Sequence, residues 1–277
     1  MQLQFQPLST ILLLIFITCH KFLAREDAQF LNCTRRFSCG PTIHNVGYPF
    51  WGRDRPQECG LSGLELRCPH DNYTTIDIAG RPFLVLGINN LTNFMKLVQV
   101  DLLDDFCPDR YDQEVWLDEN VMSYAPDVKH LTLFYACRPP LNVPGSWSNF
   151  TCNVSGTDGL GYVVDESQPW VGTPGCELNV TIPVLGSVLK EFRRNATRTT
   201  LADVVNEGFD VELEMNGAAC AACEMSGGLC WSRTNSSDQP TCLCRDGPHP
   251  FVCPDTGMSS ALLHTIANFS SQIVIHV

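Results

Sequence analysis

The chain has 277 residues, a formal net charge of −12 and an apolar fraction of 44%. That length holds two modest domains or one large β-rich one, and the composition is too apolar for a disordered chain. No basic stripe offsets the acidic balance, which argues against nucleic acid as a partner.

The first element is the apolar run "ILLLIFIT", Ile11 to Thr18, bounded by Gln4, Gln6, His20 and Lys21. It has the length of a signal-peptide core, whereas a spanning helix needs roughly 20 apolar residues. The expectation is a leader over residues 1–28, cut between Ala24 and Ala28, and hence a secreted, extracellular product. Cysteine usage agrees. Of fifteen cysteines, Cys19 lies in the leader. The other fourteen are Cys33, Cys39, Cys59, Cys68, Cys107, Cys137, Cys152, Cys176, Cys220, Cys223, Cys230, Cys242, Cys244 and Cys253. An even set of that size reads as a disulfide framework formed in an oxidising compartment, with its pairing open. Nine Asn-X-Ser/Thr triplets, at Asn32, Asn72, Asn90, Asn149, Asn153, Asn179, Asn195, Asn235 and Asn268, predict a glycosylated surface.

The segment "CTRRFSCGPTIHNVGYPFWGRDRPQECG", Cys33 to Gly60, supports two readings. In one, bridges and turns hold Tyr48 to Trp51 as framework. In the other, Arg35, Arg36, Arg53 and Arg55 meet carboxylates while Tyr48 or Trp51 stacks on a sugar face. Short strands follow in "TTIDI", "RPFLVLGI", "KLVQVDLL" and "HLTLFYAC". The Pro/Gly-rich text from 138 to 161 reads as a crossing between two lobes. "CELNVTIPV" and "GFDVELEM" alternate apolar with polar residues and predict half-buried strands. Helix is scarce. "SVLKEFRRN" suits a turn or two, and "TTLADVVNEG" a helix with Thr200 as N-cap and Gly208 just past its end. A second cationic cluster, Lys190, Arg193, Arg194 and Arg198 beside Glu191, falls here. From Cys220 to Cys253 the spacing, ending in Cys-x-Cys-x8-Cys, is similar to an epidermal-growth-factor-like module.

The fold expected is mainly β and disulfide-rich, as two small β lobes with little helix and that C-terminal cysteine module. No catalytic constellation stands out: there is no His-Glu-x-x-His, no Gly-x-Ser-x-Gly and no kinase motif. The acidic stretch "DLLDDFCPDRYDQE" lacks the residue order of a calcium loop. In a secreted chain Cys220-x-x-Cys223 reads as half-cystines rather than a metal or redox pair. No cofactor and no metal are expected, and no enzyme activity.

The blocks "SCG", "YPFWG" and "ECGLSGLELRC" resemble the extracellular galacturonan-binding module of plant wall-associated receptor kinases. "LFYAC", "GCELNVTIPVL", "NEGFDVELEM" and "CAACEMSGGLCW" resemble its cysteine-rich companion region, close to the leaf-rust-resistance-locus-like subgroup. Together they cover residues 33 to 253. The resemblance divides the chain into a galacturonan-binding-like domain over 29–137, a companion domain over 138–253 with the module at 220–253, and a tail over 254–277 without a membrane span. It implies a cell-wall ectodomain that holds pectic polysaccharide, with an apoplastic protein or peptide as the alternative partner. A full-length relative would continue into a membrane anchor and a Ser/Thr kinase, so anchoring is expected only if the sequence is a piece of such a protein.

Overall fold

Alternation along "FDVEL" buries Phe209, Val211 and Leu213 and turns Asp210 and Glu212 outward, and the same period of two builds most of this chain. The computed structural model describes residues 28–89, 92–103, 106–107, 116–138, 147–154, 157–167, 175–194, 196–232 and 241–254. The expected leader therefore lies outside the described residues up to residue 27, as do Asn90, Asn195, Asn235 and Asn268. Two compact units are present: one spans 35–215, the other joins the chain before 35 to the chain from 216 onward.

In the 35–215 unit, β1 (Phe37–Cys39) and β2 (Ile43–Val46) form a small antiparallel ribbon. A five-stranded sheet follows, in the order β3 (Thr75–Ile78), β4 (Arg81–Asn89), β5 (Phe94–Gln99), β11 (Phe209–Leu213), β6 (Met122–Tyr124). A four-stranded sheet runs β10 (Cys176–Leu185), β7 (Val128–Cys137), β9 (Thr157–Asp165), β8 (Ser148–Val154). The sheets are interlaced along the chain, since β7 pairs with β9 and β10 while β11 returns to lie between β5 and β6. That return needs Gly208. At φ 72° it takes a left-handed conformation, and a Cβ there would stand 2.1 Å from the Leu97 carbonyl oxygen.

Two cores result. One packs Phe37, Phe50, Leu61, Leu64 and Leu66 against the inner residues of the five-stranded sheet. The other packs Leu131, Leu133, Tyr135, Val180 and Ile182 of the four-stranded sheet against α2 (Gly186–Phe192) and α3 (Arg198–Glu207). A bidentate ion pair locks the end of α2 to β9: Arg193 Nε and Nη2 donate to the Asp165 carboxylate at 3.0 and 2.7 Å. The backbone N–H and the hydroxyl of Ser167 donate to it too.

Several sequence expectations are corrected. From Ser148 the supposed crossing is the β8–β9 hairpin, paired Phe150 to Gly161 and Cys152 to Gly159. Gly161 is there for close approach rather than for a turn, because a Cβ would stand 2.4 Å from the Phe150 ring. The N-cap of α3 is Thr197, not Thr200. Thr197 Oγ1 accepts the Thr200 N–H at 3.1 Å while Thr200 Oγ1 accepts the Thr197 N–H at 2.8 Å, a reciprocal cap.

In the other unit, a helix over 28–34, α1, and α4 (Gly217–Met225) join a three-stranded sheet of β12 (Leu229–Trp231), β13 (Thr241–Cys244) and β14 (Gly247–His249). Helix α4 is absent from the sequence reading. Asn216 caps it through the Ala219 N–H at 3.1 Å, and four alanines favour it. Its i, i+3 spacing sets Cys220 and Cys223 on one face, so one helix is stapled twice, to Cys230 and to Cys242. Cys244–Cys253 completes the module. The remaining described pairs are Cys39–Cys68, Cys107–Cys152 and Cys137–Cys176, and Cys33 and Cys59 are also disulfide-bonded.

Candidate functional site

The six residues expected to hold ligand fall into separate roles. Arg55 is 3% exposed. Its Nε donates to the Phe50 carbonyl at 3.1 Å, Nη1 to the Arg35 carbonyl at 2.9 Å and Nη2 to the Cys59 carbonyl at 2.7 Å. A planar guanidinium spreads its donors in a fork that reaches all three carbonyls, whereas the donors of a lysine radiate from a single nitrogen. Burial, with repulsion from Arg36, lowers its pKa to about 10, so it stays charged at neutral pH. It knits the loop from inside and is out of reach of a polymer.

Arg53 lies at the surface but is engaged: it donates to the Ser38 carbonyl at 2.9 Å and pairs with Asp71 at 2.8 Å. Arg36 is exposed and reaches the Asn45 carbonyl at 3.3 Å. Arg35 is exposed, and among the described residues its side chain has no hydrogen-bond or ion-pair partner. The two guanidinia open to solvent and without a carboxylate are therefore Arg35 and Arg36.

The aromatics are mostly framework. Phe50 is 1% exposed within the first core. Tyr48 packs against that core, and burial pushes its hydroxyl pKa up to about 12. Trp51 is half-buried, with Nε1 donating to the Leu61 carbonyl at 2.9 Å. The Tyr48–Pro49 peptide is cis. Tyr73 is the aromatic that sequence reading missed. It is 46% exposed, two residues from Asp71, and its backbone lies 3.1 Å from the Cβ position of Gly40. Its signal was legible: an aromatic in the turn "HDNYT", flanked by polar residues, has no apolar face on which to hide.

The second cationic cluster is largely spent. Arg193 grips Asp165, Arg194 pairs with Glu191 at 2.9 Å, and Lys190 is exposed; the side chain of Arg198 lies outside the described residues. A shallow crevice of about 230 Å³ between the sheets is lined by Val98, Leu102, Ile182, Val205 and Phe209. It offers no cation to a uronate. Among the described residues no helix is long and apolar enough to cross a membrane.

The galacturonan-binding domain of wall-associated receptor kinases matches residues 33–99, and the C-terminal domain of wall-associated receptor kinases matches residues 151–247. Similar proteins include three from Arabidopsis thaliana named as leaf rust 10 disease-resistance locus receptor-like protein kinase-like proteins. Member 1.3 is 30% identical over 86% of this chain, member 2.8 is 30% identical over 84%, and member 2.3 is 31% identical over 81%. The chain spans 34%, 25% and 35% of their respective lengths. No solved structure matches.

Proposed function

Because this chain is built from the galacturonan-binding and C-terminal domains of wall-associated receptor kinases, we propose that it is a secreted, non-catalytic ectodomain that holds pectic polysaccharide in the plant cell wall. The observation that carries the reading is the exposed, carboxylate-free pair Arg35 and Arg36 within the galacturonan-binding domain, with Tyr73 as an exposed aromatic of the same domain. Screening confines the repulsion of the acidic remainder to about 8–10 Å, so two local cations act on their own terms.

Magnitudes set the mode of binding. An exposed arginine–carboxylate pair contributes about 0–1 kcal/mol, while millimolar affinity requires about 4 kcal/mol. Two such arginines fall short on a single uronate. A repeating polyuronate closes the gap by presenting many carboxylates at once. Binding therefore rises with chain length and falls with salt. Calorimetry with de-esterified oligogalacturonides of increasing length is expected to show both trends, and R35A/R36A is expected to lose binding by about tenfold or more. R53A, which loses a guanidinium already paired to Asp71, is expected to change it less. Affinity indifferent to salt and to R35A/R36A rejects this mechanism.

A second reading, an apoplastic protein or peptide partner, rests on a different surface. Met225, Phe251 and Val252 of the cysteine module are 83, 75 and 47% exposed, and the Cys253 N–H donates to Ser226 Oγ at 2.8 Å, drawing the two segments together. Exposed apolar clusters of this kind mark contact surfaces. Capture of a wall protein that survives M225S/F251S unchanged would remove that reading.

A further inference from the structure

The four-stranded sheet has a core face, described above, and an outer face. On the outer face the register aligns four residues in one row across the strands: Asn179 of β10, Phe134 of β7, Tyr162 of β9 and Asn149 of β8. Strands about 4.8 Å apart place the two asparagines roughly 14 Å from each other. Both are exposed, and each begins an Asn-X-Thr triplet whose threonine, Thr151 or Thr181, stands on the same face by strand alternation.

Three independent features converge on this row. First, β8 and β10 are the two edges of the sheet, so each open edge carries one of the asparagines. Second, β8 reads "SNFTCNV" and has no charged residue and no proline, the usual devices that keep an edge strand from pairing with another chain. It carries instead two glycosylation triplets, beginning at Asn149 and Asn153. Third, the middle of the row is aromatic. Trp147 stacks on Phe134 with centroids 5.4 Å apart and planes 10° from parallel, and meets half-buried Tyr162 edge-on at 6.3 Å. The middle of the row is thus already filled from within the protein, with Phe134 1% and Trp147 8% exposed, and the two asparagines are its exposed ends.

We propose that N-linked oligosaccharides at Asn149 and Asn179, the exposed ends of this row, shield the edges of the sheet, β8 above all, leaving ligand contact to other surfaces. In the transfer, Nδ2 of each asparagine bonds to the anomeric carbon of the first N-acetylglucosamine of a lipid-pyrophosphate-linked oligosaccharide. The bond from that carbon to the pyrophosphate oxygen breaks, the amide gives up one proton, and the lipid pyrophosphate departs. The bulk of the sugars does for β8 what a lysine or a proline does for other edge strands.

The test uses the full chain secreted from plant cells. Glycopeptide mass spectrometry is expected to find Asn149 and Asn179 occupied; bare asparagines at both positions in the secreted protein overturn the proposal. Sedimentation of N149Q/N179Q, and of wild-type protein trimmed after folding by an endoglycosidase that leaves one N-acetylglucosamine on each asparagine, is expected to show self-association strengthened by about tenfold, or ~1.4 kcal/mol. Trimmed protein that associates no more than the untrimmed form overturns the shielding role without depending on how the variant folds. Neither readout involves galacturonan, so the result stands apart from the polysaccharide reading.

Discussion

Replacing Arg55 by methionine is expected to destabilise the 35–215 unit by about 3 kcal/mol, measured as a lower denaturant midpoint. The substitution leaves the carbonyls of Phe50, Arg35 and Cys59 without their donor. Each buried carbonyl left unpaired costs about 1–3 kcal/mol. An opposing term keeps the total below the sum: the lowered pKa of Arg55 shows that burial and Arg36 work against its charge, and methionine removes that charge. Arg55→Lys is expected to fall between, keeping the charge but not the fork that spans three acceptors. A change within about 0.5 kcal/mol, the range of an ordinary surface substitution, contradicts the role given to this residue. R35A/R36A, by contrast, is expected to leave the midpoint in place while binding falls.

Replacing Arg193 by methionine has a comparable effect by a different route. It strands the Asp165 carboxylate, 5% exposed, with only the Ser167 donors; because the Arg193 side chain is itself 43% exposed, the cost falls below the ~3–5 kcal/mol of breaking a fully buried pair. The pH dependence carries the diagnosis. Burial alone would raise the pKa of Asp165, but hydrogen bonds from Ser167 and Arg193 and the charge of Arg193 outweigh it and hold the carboxyl below its ordinary value. With the folded pKa lowered, the unfolded chain binds more protons in the acid range, so stability rises with pH there. The contribution of this pair is complete above about pH 4, the ordinary carboxylate value, and fades as pH falls through the lowered one. In R193M the Ser167 bonds remain but the contribution of Arg193 is gone, so the Asp165 carboxyl is held down less and protonating it relieves the stranded charge; the destabilisation by R193M is therefore largest at neutral pH and shrinks as pH falls. Unfolding midpoints taken from pH 2 to 7 on both proteins check this. A stability difference between the two proteins that stays constant across that range would mean that Arg193 does not set the state of Asp165.

The two arginines show why the candidate site was only half legible. In the sequence, Arg35, Arg36, Arg53 and Arg55 are four equal cations within 21 positions. Nothing in their order says that one turns inward onto three carbonyls, or that Asp71 arrives from beyond Cys68 to pair with another. The aromatic run left its two readings open for a related reason, since the alternation that exposes one ring and buries the next is lost in a bridged turn. Helix α4 was hidden for a different reason: its cysteines were read for bridging, while the alanines between them already favoured a helix.

By itself the sequence determined that this is a β-rich, sulfur-bridged chain of the wall-associated type, because strand periodicity and the order of cysteine-anchored blocks are local properties of the text. It also marked the inward faces of β10 and β11 correctly. Which cysteines meet, which arginines remain free, how β11 inserts between β5 and β6, and that Asn149 and Asn179 share one row were decided only by the tertiary structure. Each depends on partners brought together from distant parts of the chain, and spacing along a chain carries no record of register across it.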